Sequence, residues 1–205
     1  EGVEKLTGTR HTIIPDRIEA ATYMTAAAMT RGEVLINNVI GSHIRPVIAK
    51  LVEMGVDVEE IEDEDKIIVK APNRLKSTNI QTLPYPGFPT DAQAQFMALM
   101  TVCEGESRIQ ETVFENRFMH VEELMKMGAV IATSGNRATI AGVEKLHGAD
   151  VRATDLRAGA ALVMAGLVAK GTTRVFDIYH IDRGYSNIVE KLSGLGADIK
   201  RVTVE

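Results

Sequence analysis

Three aspartates and three arginines recur along this chain, each at the expected start of a helix. Each aspartate opens an Ala-rich segment, and each arginine opens a second helical segment that ends in Gly. A carboxylate can accept a proton from an alcohol, and an arginine can bind a carboxylate or a phosphate with two hydrogen bonds. These residue types therefore suit proton transfer and anion binding. The aspartates are Asp16, Asp91 and Asp155, and the arginines are Arg45, Arg117 and Arg183.

Each of these charged residues also has a purely structural interpretation. An acid at the first turn of a helix accepts hydrogen bonds from backbone amides, and Thr90 with Gln93 has the pattern of a capping box. From the local pattern alone, capping is the favoured interpretation for each aspartate. Each arginine could equally form an ion pair with an acid of a neighbouring repeat, so both interpretations stay open.

A proline-rich segment distinguishes Asp91 from the other two acids. Residues 83–89 (LPYPGFP) hold three of the six prolines and lead directly into Thr90 and Asp91. Each proline fixes its own φ and restricts the residue before it, so we expect a stiff, extended loop. Such a loop is useful if the start of the next helix must be held in place.

The elements that carry these residues come from a sequence phrase that occurs three times. Each copy has an acid, an Ala-rich helix, a Gly, and a second helix that ends in Gly, and the two glycines are 23, 23 and 25 residues apart. Each copy predicts strand, helix, strand, helix, strand, with a further strand in the first two. The first helices are predicted at residues 17–30, 91–103 and 155–169.

The pattern of the first helices predicts the architecture. Two of them are apolar on nearly every face (AQFMALM and AALVMA), which is typical of buried helices. Stacked copies share one core. We therefore predict an α/β fold of three pseudo-threefold repeats, with buried helices and the sheets outside. Residues 1–205 form one domain in this interpretation, with repeats at about 9–74, 75–148 and 149–205.

Composition excludes several classes of protein. The net charge is −5 with acids and bases interspersed, which disfavours nucleic acid as a partner. No apolar run reaches the roughly 18–20 residues that a membrane helix needs. The single Cys103 excludes an internal disulfide framework and is interpreted as an inert core thiol. The five histidines lack metal-ligand spacing, so no metal site is predicted.

Four segments together resemble one protein family. They are residues 88–95 (FPTDAQAQ), 112–118 (TVFENRF), 153–157 (ATDLR) and 180–185 (HIDRGY). In this order they resemble the enolpyruvyl transferases, in the branch that acts on UDP-N-acetylglucosamine. The resemblance covers essentially the whole chain and corresponds to about the C-terminal half of such an enzyme. It implies a lobe built as an inside-out α/β barrel, with substrates in a cleft between two lobes.

The resemblance also implies roles for particular residues. The family reaction moves the enolpyruvyl group of phosphoenolpyruvate to the 3′-hydroxyl of UDP-N-acetylglucosamine, the first committed step of peptidoglycan synthesis. Asp91 matches the acid that binds the attacking hydroxyl and removes its proton, and Val113 matches a residue that touches the sugar nucleotide. Arg183 matches an arginine on the phosphoenolpyruvate side. The remaining matched cleft residues are Asp155, Arg157 and Arg117, the last without an assigned role.

Parts of the family pattern are absent from this sequence. The family's reactive cysteine, which fosfomycin modifies, and its Lys-Asn pair belong to the other lobe, and Cys103 lies outside every matching motif. We therefore expect a piece of a longer cytoplasmic enzyme that is inactive alone and needs its N-terminal lobe as partner. The family uses no cofactor or metal.

Three alternatives remain at this level. The enolpyruvyl transferase of the shikimate pathway shares the fold and the chemistry, although the amino-acid sequences of residues 112–118 and 180–185 disfavour it. A non-catalytic repeat domain that acts as a binding module should have lost its cleft motifs. An enzyme that processes nucleic-acid ends, built from related repeats, is disfavoured by the acidic charge.

Overall fold

The computed structural model describes residues 2–71 and 73–203, so both ends of the predicted domain 1–205 and residue 72 of the first predicted repeat lie outside it. The described residues form helices and strands in alternation, which confirms the α/β class. The helices are α1 Arg17–Thr30, α2 Arg45–Met54, α3 Gln93–Met100, α4 Val121–Lys126, α5 Leu156–Val168, α6 Tyr179–Asp182 and α7 Ile188–Gly194. The strands are β1 Glu33–Asn37, β2 Asp57–Ile61, β3 Lys66–Lys70, β4 Asn79–Gln81, β5 Glu106–Gln110, β6 Val130–Ser134, β7 Arg137–Ala141, β8 Asp150–Arg152 and β9 Arg174–Phe176.

Three helices, one from each sequence copy, occupy the centre of the molecule. The helices α1, α3 and α5 pack against one another, and every residue of α3 is buried. Their many alanines permit this close approach because a methyl side chain adds little width to a helix. Each central helix also packs on the sheet of its own copy: α1 on β1 and β3, α3 on β5 and β7, and α5 on β9.

The strands form three separate sheets of unequal size. Their strand orders are β1-β3-β2, β4-β5-β7-β6 and β8-β9. The antiparallel hairpins β2–β3 and β6–β7 confirm the two predicted hairpins, and the pairs β4–β5 and β8–β9 are parallel. Within residues 2–71 and 73–203 no sheet closes into a barrel.

Two predicted strands are not found in the described part of the chain. Residues 2–15 form no strand, and Ile13 and Ile14 are 85% and 60% exposed. Residues 197–203, after α7, also form none. The prediction was wrong at these places because an alternating pattern makes a strand only where a neighbouring strand pairs with it and an apolar surface covers it.

A single hydrophobic core joins the three sequence copies. It contains Met24 of α1, Phe96 of α3 and Leu162 of α5, each essentially inaccessible to solvent. A smaller cluster beside it surrounds Tyr185 and Ile181. The polar residues described next lie at the N-terminal ends of α3 and α5, where this core reaches the surface.

Candidate functional site

Asp91 holds the centre of the site, between two arginines. It lies in a 3₁₀ turn, Thr90–Ala92, that precedes α3. Arg117 Nη2 donates to Asp91 Oδ1 at 3.1 Å, and Arg157 Nη2 donates to Asp91 Oδ2 at 3.3 Å. The Asp91 side chain is 44% exposed, whereas that of Arg117 is 7% exposed. The structure therefore presents an accessible carboxylate whose two oxygens are each held by a different guanidinium group.

The capping interpretation is correct for two aspartates and wrong for Asp91. Asp16 Oδ1 accepts from Ile18 N at 2.8 Å, and Asp155 Oδ1 accepts from Arg157 N at 2.7 Å and Ala158 N at 2.9 Å. No side chain caps α3, which begins two residues after Asp91. The predicted helix at 91–103 is shorter at both ends, because its first turn is 3₁₀ and its last three residues leave the α-helix.

Arg117 is fixed from several sides. Its guanidinium carbon lies 4.8 Å from the centre of the Phe114 ring, and Nη2 also donates to the Thr90 carbonyl at 3.4 Å. A planar guanidinium on an aromatic face gains cation–π attraction while its N–H groups stay free for hydrogen bonds. Arg117 therefore pairs with the acid of its own sequence copy, not with one of a neighbouring copy.

Arg157 reaches the same carboxylate from the first turn of α5. Its Nη1 donates to the Tyr185 hydroxyl at 3.2 Å, while Nη2 contacts Asp91. Burial works to lower the pKa of Arg157, but Tyr185 and Asp91 raise it above its ordinary value. The guanidinium is consequently charged whenever Asp91 is ionised.

The two other arginines that begin second helices behave differently. Arg45 Nη1 pairs with Glu60 Oε1 at 2.7 Å within the first copy, which supports the structural interpretation for this residue. Arg183 is exposed at the end of α6 and forms no ion pair with the residues that the structure describes. It lines an open cavity of about 430 Å³ with Asp182, Tyr185 and the loop 186–187. Tyr185, which lines this cavity, also contacts Arg157 through its hydroxyl.

Val113 is held by a buried acid that the sequence analysis missed. Glu111 is 3% exposed, and its Oε1 accepts from Val113 N and Phe114 N at 2.9 and 3.0 Å. The same carboxylate accepts from the hydroxyls of Thr82 at 2.7 Å and Thr90 at 2.9 Å. Glu111 therefore ties the loop that carries Val113, which is 44% exposed, to the turn that carries Asp91. A single Glu after a strand has no distinctive sequence pattern, so the sequence alone does not indicate that it anchors a loop.

The proline-rich segment folds back on itself, so the prediction of an extended loop was wrong. Leu83 N donates to the Phe88 carbonyl at 2.9 Å, and Gly87 N donates to the Pro84 carbonyl at 2.8 Å. A Cβ at Gly87 would lie 2.4 Å from that of Leu83, so only glycine allows this close approach. The prolines stiffen a tight turn.

Two further residues of chemical interest are buried. Cys103 is 1% exposed, its Sγ donates to the Leu99 carbonyl at 3.2 Å, and burial raises the pKa of its thiol to about 12. This agrees with the prediction of a core thiol. Within the described residues, neither ring nitrogen of His120 has a hydrogen-bond partner of normal geometry. Burial lowers the pKa of His120 to about 4. The charge of Asp155 opposes this shift, and Arg117 acts in both directions, since its charge lowers the pKa and its backbone raises it.

Residues 2–71 and 73–203 lack two kinds of feature. No group of three or more His, Cys, Asp or Glu side chains there is arranged to hold a metal ion. None of the helices in the same residues has both the length and the apolar character needed to cross a membrane.

Comparisons with known proteins place this chain among the enolpyruvyl transferases. The sequence profile of the EPSP synthase (3-phosphoshikimate 1-carboxyvinyltransferase) family matches residues 1–192. The chain is 69% identical over 204 residues to a UDP-N-acetylglucosamine 1-carboxyvinyltransferase of Finegoldia magna, covering 100% of the chain and 48% of the relative. It is 61% identical over 201 residues to UDP-N-acetylglucosamine 1-carboxyvinyltransferase 1 of Caldanaerobacter subterraneus, covering 98% of the chain and again 48% of the relative. The chain thus spans about half the length of the curated relatives it matches.

Solved structures agree at the level of the fold. The enolpyruvyl transferase NikO from Streptomyces tendae superposes with a TM-score of 0.83 at 31% identity, over 93% of this chain and 45% of NikO. An EPSP synthase from Acinetobacter baumannii superposes with a TM-score of 0.71 at 19% identity, over 90% of this chain and 46% of that protein.

Proposed function

The chain belongs to the EPSP synthase family of enolpyruvyl transferases, and we propose that it forms half of a UDP-N-acetylglucosamine 1-carboxyvinyltransferase. The proposed reaction moves the enolpyruvyl group of phosphoenolpyruvate to the 3′-hydroxyl of UDP-N-acetylglucosamine, in peptidoglycan synthesis. The high identity to relatives with that name supports this acceptor over shikimate 3-phosphate. Motifs intact over the whole chain also disfavour a non-catalytic binding module.

The observation that carries the proposal is the placement of Asp91. The carboxylates of the other two acids at helix starts accept hydrogen bonds from backbone amides. The Asp91 carboxylate is 44% exposed and lies between two arginines. A hydroxyl is a poor nucleophile until its proton has an acceptor. As the hydroxyl oxygen bonds to C2 of phosphoenolpyruvate, an oxygen of Asp91 takes its proton, and a group outside this chain protonates C3. The resulting tetrahedral adduct then loses phosphate, with a proton leaving C3, to form the enol ether.

The arginines suit the anionic groups of this reaction. Arg183, exposed at the open cavity, binds the phosphoenolpyruvate side, where a guanidinium can hold a phosphate or carboxylate with two hydrogen bonds. Arg117 and Arg157 orient the Asp91 carboxylate, and charged donors fixed before the reaction need no reorganisation as charge develops. Asp155 holds the first turn of α5, which carries Arg157. Val113 contacts the sugar nucleotide from the loop that Glu111 anchors.

The fold is proposed as one lobe of a two-lobed cytoplasmic enzyme. Three central helices, each covered by the sheet of its own copy, support an inside-out arrangement of three repeats within residues 1–205. The site is open on the side of Asp91 and Arg183, and relatives are about twice as long. A second lobe of the same enzyme therefore closes the cleft and supplies the reactive cysteine. The reaction needs no cofactor, because every step is a proton transfer or the making or breaking of a C–O bond, which charged side chains can stabilise.

The test is phosphate release by the full-length protein from phosphoenolpyruvate, with either UDP-N-acetylglucosamine or shikimate 3-phosphate as acceptor. We expect release only with the sugar nucleotide, and its loss in Asp91→Ala. Asp150→Ala is the matched control, since the Asp150 side chain is 59% exposed and pairs with Arg174 at 3.5 Å across β8 and β9. Phosphate release that depends on shikimate 3-phosphate would show that this compound, and not the sugar nucleotide, is the acceptor. No release with either acceptor would refute the transferase proposal.

A second test concerns the chain by itself. We expect residues 1–205 alone to release no phosphate and to react slowly with fosfomycin, because Cys103 is buried and its pKa is raised to about 12. Mass spectrometry after incubation with fosfomycin measures this. Rapid modification of Cys103 would contradict the assignment of the reactive cysteine to the other lobe.

A further inference from the structure

A buried polar cluster lies between the three central helices, behind the arginines of the site. Its centre is the hydroxyl of Tyr185, a residue that is 1% exposed. That hydroxyl lies 2.9 Å from Thr22 Oγ1 of α1 and 3.2 Å from Gln95 Nε2 of α3. Gln95 Nε2 also donates to Thr22 Oγ1 at 3.1 Å. Buried polar groups are stable only when they are hydrogen-bonded, so the partners of each atom in this cluster can be counted.

The count of donors and acceptors determines the direction of each hydrogen bond. Thr22 Oγ1 donates its one proton to the Ile18 carbonyl at 2.9 Å, so it can only accept from Tyr185 and Gln95. The Tyr185 proton therefore goes to Thr22, and both acceptor positions of the tyrosine oxygen are filled by Gln95 Nε2 and Arg157 Nη1. The two hydroxyl groups are fully satisfied, and each of the three sequence copies contributes to them.

This cluster fixes one end of Arg157 while the other end holds Asp91. Arg157 Nη1 donates to the tyrosine oxygen, and its guanidinium carbon lies 5.7 Å from the Tyr185 ring centre. Arg157 Nη2 then donates to Asp91 Oδ2. We propose that Tyr185 is a positioning residue, which holds Arg157 so that the Asp91 carboxylate faces the attacking hydroxyl. Its kinetic consequence rests on the proposed function.

The geometry explains why an anchor is needed here. Asp91 is not held by helix amides, as Asp155 is, and its side chain is 44% exposed. Its orientation therefore depends on Arg117 and Arg157. An arginine side chain has many rotamers, and the hydrogen bond that Arg157 donates to a buried tyrosine oxygen removes that freedom before substrate binds.

The first experiment compares Tyr185→Phe with Tyr23→Phe in the full-length protein. Tyr23 is the matched control because it packs against the same small cluster, and its buried hydroxyl has no hydrogen-bond partner in the part of the chain that the structure describes. For Tyr185→Phe we expect kcat to fall about 10- to 100-fold, as for loss of a hydrogen bond to a charged group, with little change in KM for the sugar nucleotide. Tyr23→Phe should leave kcat unchanged.

A double-substitution cycle separates positioning from a merely structural role. If Tyr185 acts through Arg157, then Tyr185→Phe should reduce kcat little further in an Arg157→Lys background. Independent, multiplicative losses would overturn the proposal, as would an unchanged kcat in folded Tyr185→Phe.

A third measurement does not depend on activity. In ¹⁵N NMR of arginine-labelled full-length protein, we expect slow rotation of the Arg157 guanidinium in the unsubstituted protein and faster rotation in Tyr185→Phe. The Arg157 signal is assigned from its loss in Arg157→Lys. Fast rotation in the unsubstituted protein would overturn the anchoring role even if Tyr185→Phe failed to fold. Should the protein show no transferase activity, slow rotation would still support the anchor, so the two failures are distinguishable.

Discussion

Asp91 and Asp155 occupy equivalent places in their sequence copies, yet their carboxylates bind different partners: helix amides for Asp155 and arginine side chains for Asp91. Asp155 has extended backbone dihedrals, φ −157° and ψ 178°, and its side chain turns back onto the amides of α5. Asp91 lies within a 3₁₀ turn, and its side chain points to two arginines instead. The extra turn before α3 moves the acid out of reach of the helix amides. The same residue type thus stabilises a helix in one copy and is free for chemistry in the other.

The two acids also differ in the charged and polar groups that surround them. The charge of Asp155 acts on His120, whose buried ring stays neutral because burial lowers its pKa to about 4. Asp91 faces two guanidinium groups, of which Arg117 is almost fully buried. A helix-start acid is thus a candidate catalytic group where arginines, and not helix amides, hold its carboxylate. Glu111 contributes by binding the hydroxyl of Thr90, the neighbour of Asp91.

The largest expected effect comes from replacing each acid by its amide. Asn caps helices about as well as Asp, so Asp16→Asn should keep both stability and activity. Asp91→Asn removes the proton acceptor, and we expect kcat of the full-length protein to fall about 100- to 10,000-fold. Phosphate release measures both variants. Comparable activity of the two would show that Asp91 is a structural acid like its counterparts.

The next effect concerns Glu111, which joins the loop of Val113 to the turn of Asp91. Glu111→Ala leaves four donors without their shared acceptor, one in a buried and three in partly buried hydrogen bonds, so we expect the free energy of unfolding to fall by about 2–4 kcal/mol. Glu111→Gln retains one acceptor oxygen and should recover part of the loss. Urea unfolding followed by circular dichroism gives both values. Equal stability of Glu111→Ala and the unsubstituted chain would contradict the anchoring role.

A pH effect follows from the buried ring beside Asp155. The native state resists protonation of His120 until about pH 4, whereas the unfolded chain protonates near pH 6.5. Above about pH 6.5 His120 is neutral in both states and does not affect the free energy of unfolding. As the pH falls from about 6.5 towards 4, only the unfolded chain takes up the proton, so the free energy of unfolding decreases by at most about 1.4 kcal/mol per pH unit. Urea unfolding at several pH values should show this slope reduced in His120→Gln and retained in the control His147→Gln, whose imidazole is exposed. An unreduced slope in His120→Gln would assign it to other groups.

The smallest effect tests the capping acid that lies outside the proposed site. Asp16→Ala removes the acceptor for Ile18 N, and we expect a loss of about 1 kcal/mol in the free energy of unfolding. Asp16→Asn serves as its control, with a loss close to zero. Thermal and urea unfolding measure the difference. A loss as large in Asp16→Asn would mean that the charge matters at this helix end more than the hydrogen bond.

Much of the local structure could be predicted because it depends on neighbours in sequence. The bounds of α1 agree with the prediction at 17–30, and the strand β2 agrees at residues 57–61. The hairpins around residues 62–65 and 135–136 follow from short alternating segments and turn residues. The start of α3 was placed too early because Thr90 has the type of a helix cap, while its hydroxyl is bound by Glu111.

The candidate site was predicted by its residues but not by its contacts. The segments 88–95 and 180–185 contain Asp91, Gln95, Arg183 and Tyr185, yet no local pattern shows that Tyr185 meets Thr22. Those two residues are 163 positions apart in the chain. Thr22 and Gln95 lie in helices whose composition predicts only burial, so their hydrogen bonds could be found only in the packed structure.

The sequence by itself determined the three copies, the burial of the Ala-rich helices and the identity of the acid and arginines that could do chemistry. These follow from composition and from periods of a few residues, which the chain carries locally. The tertiary structure alone decided which acids cap helices, which arginines reach Asp91, and which tyrosine contacts Arg157. The physical reason is that a carboxylate binds whichever donors the fold brings within about 3 Å, and that choice is made by helix packing across the whole chain.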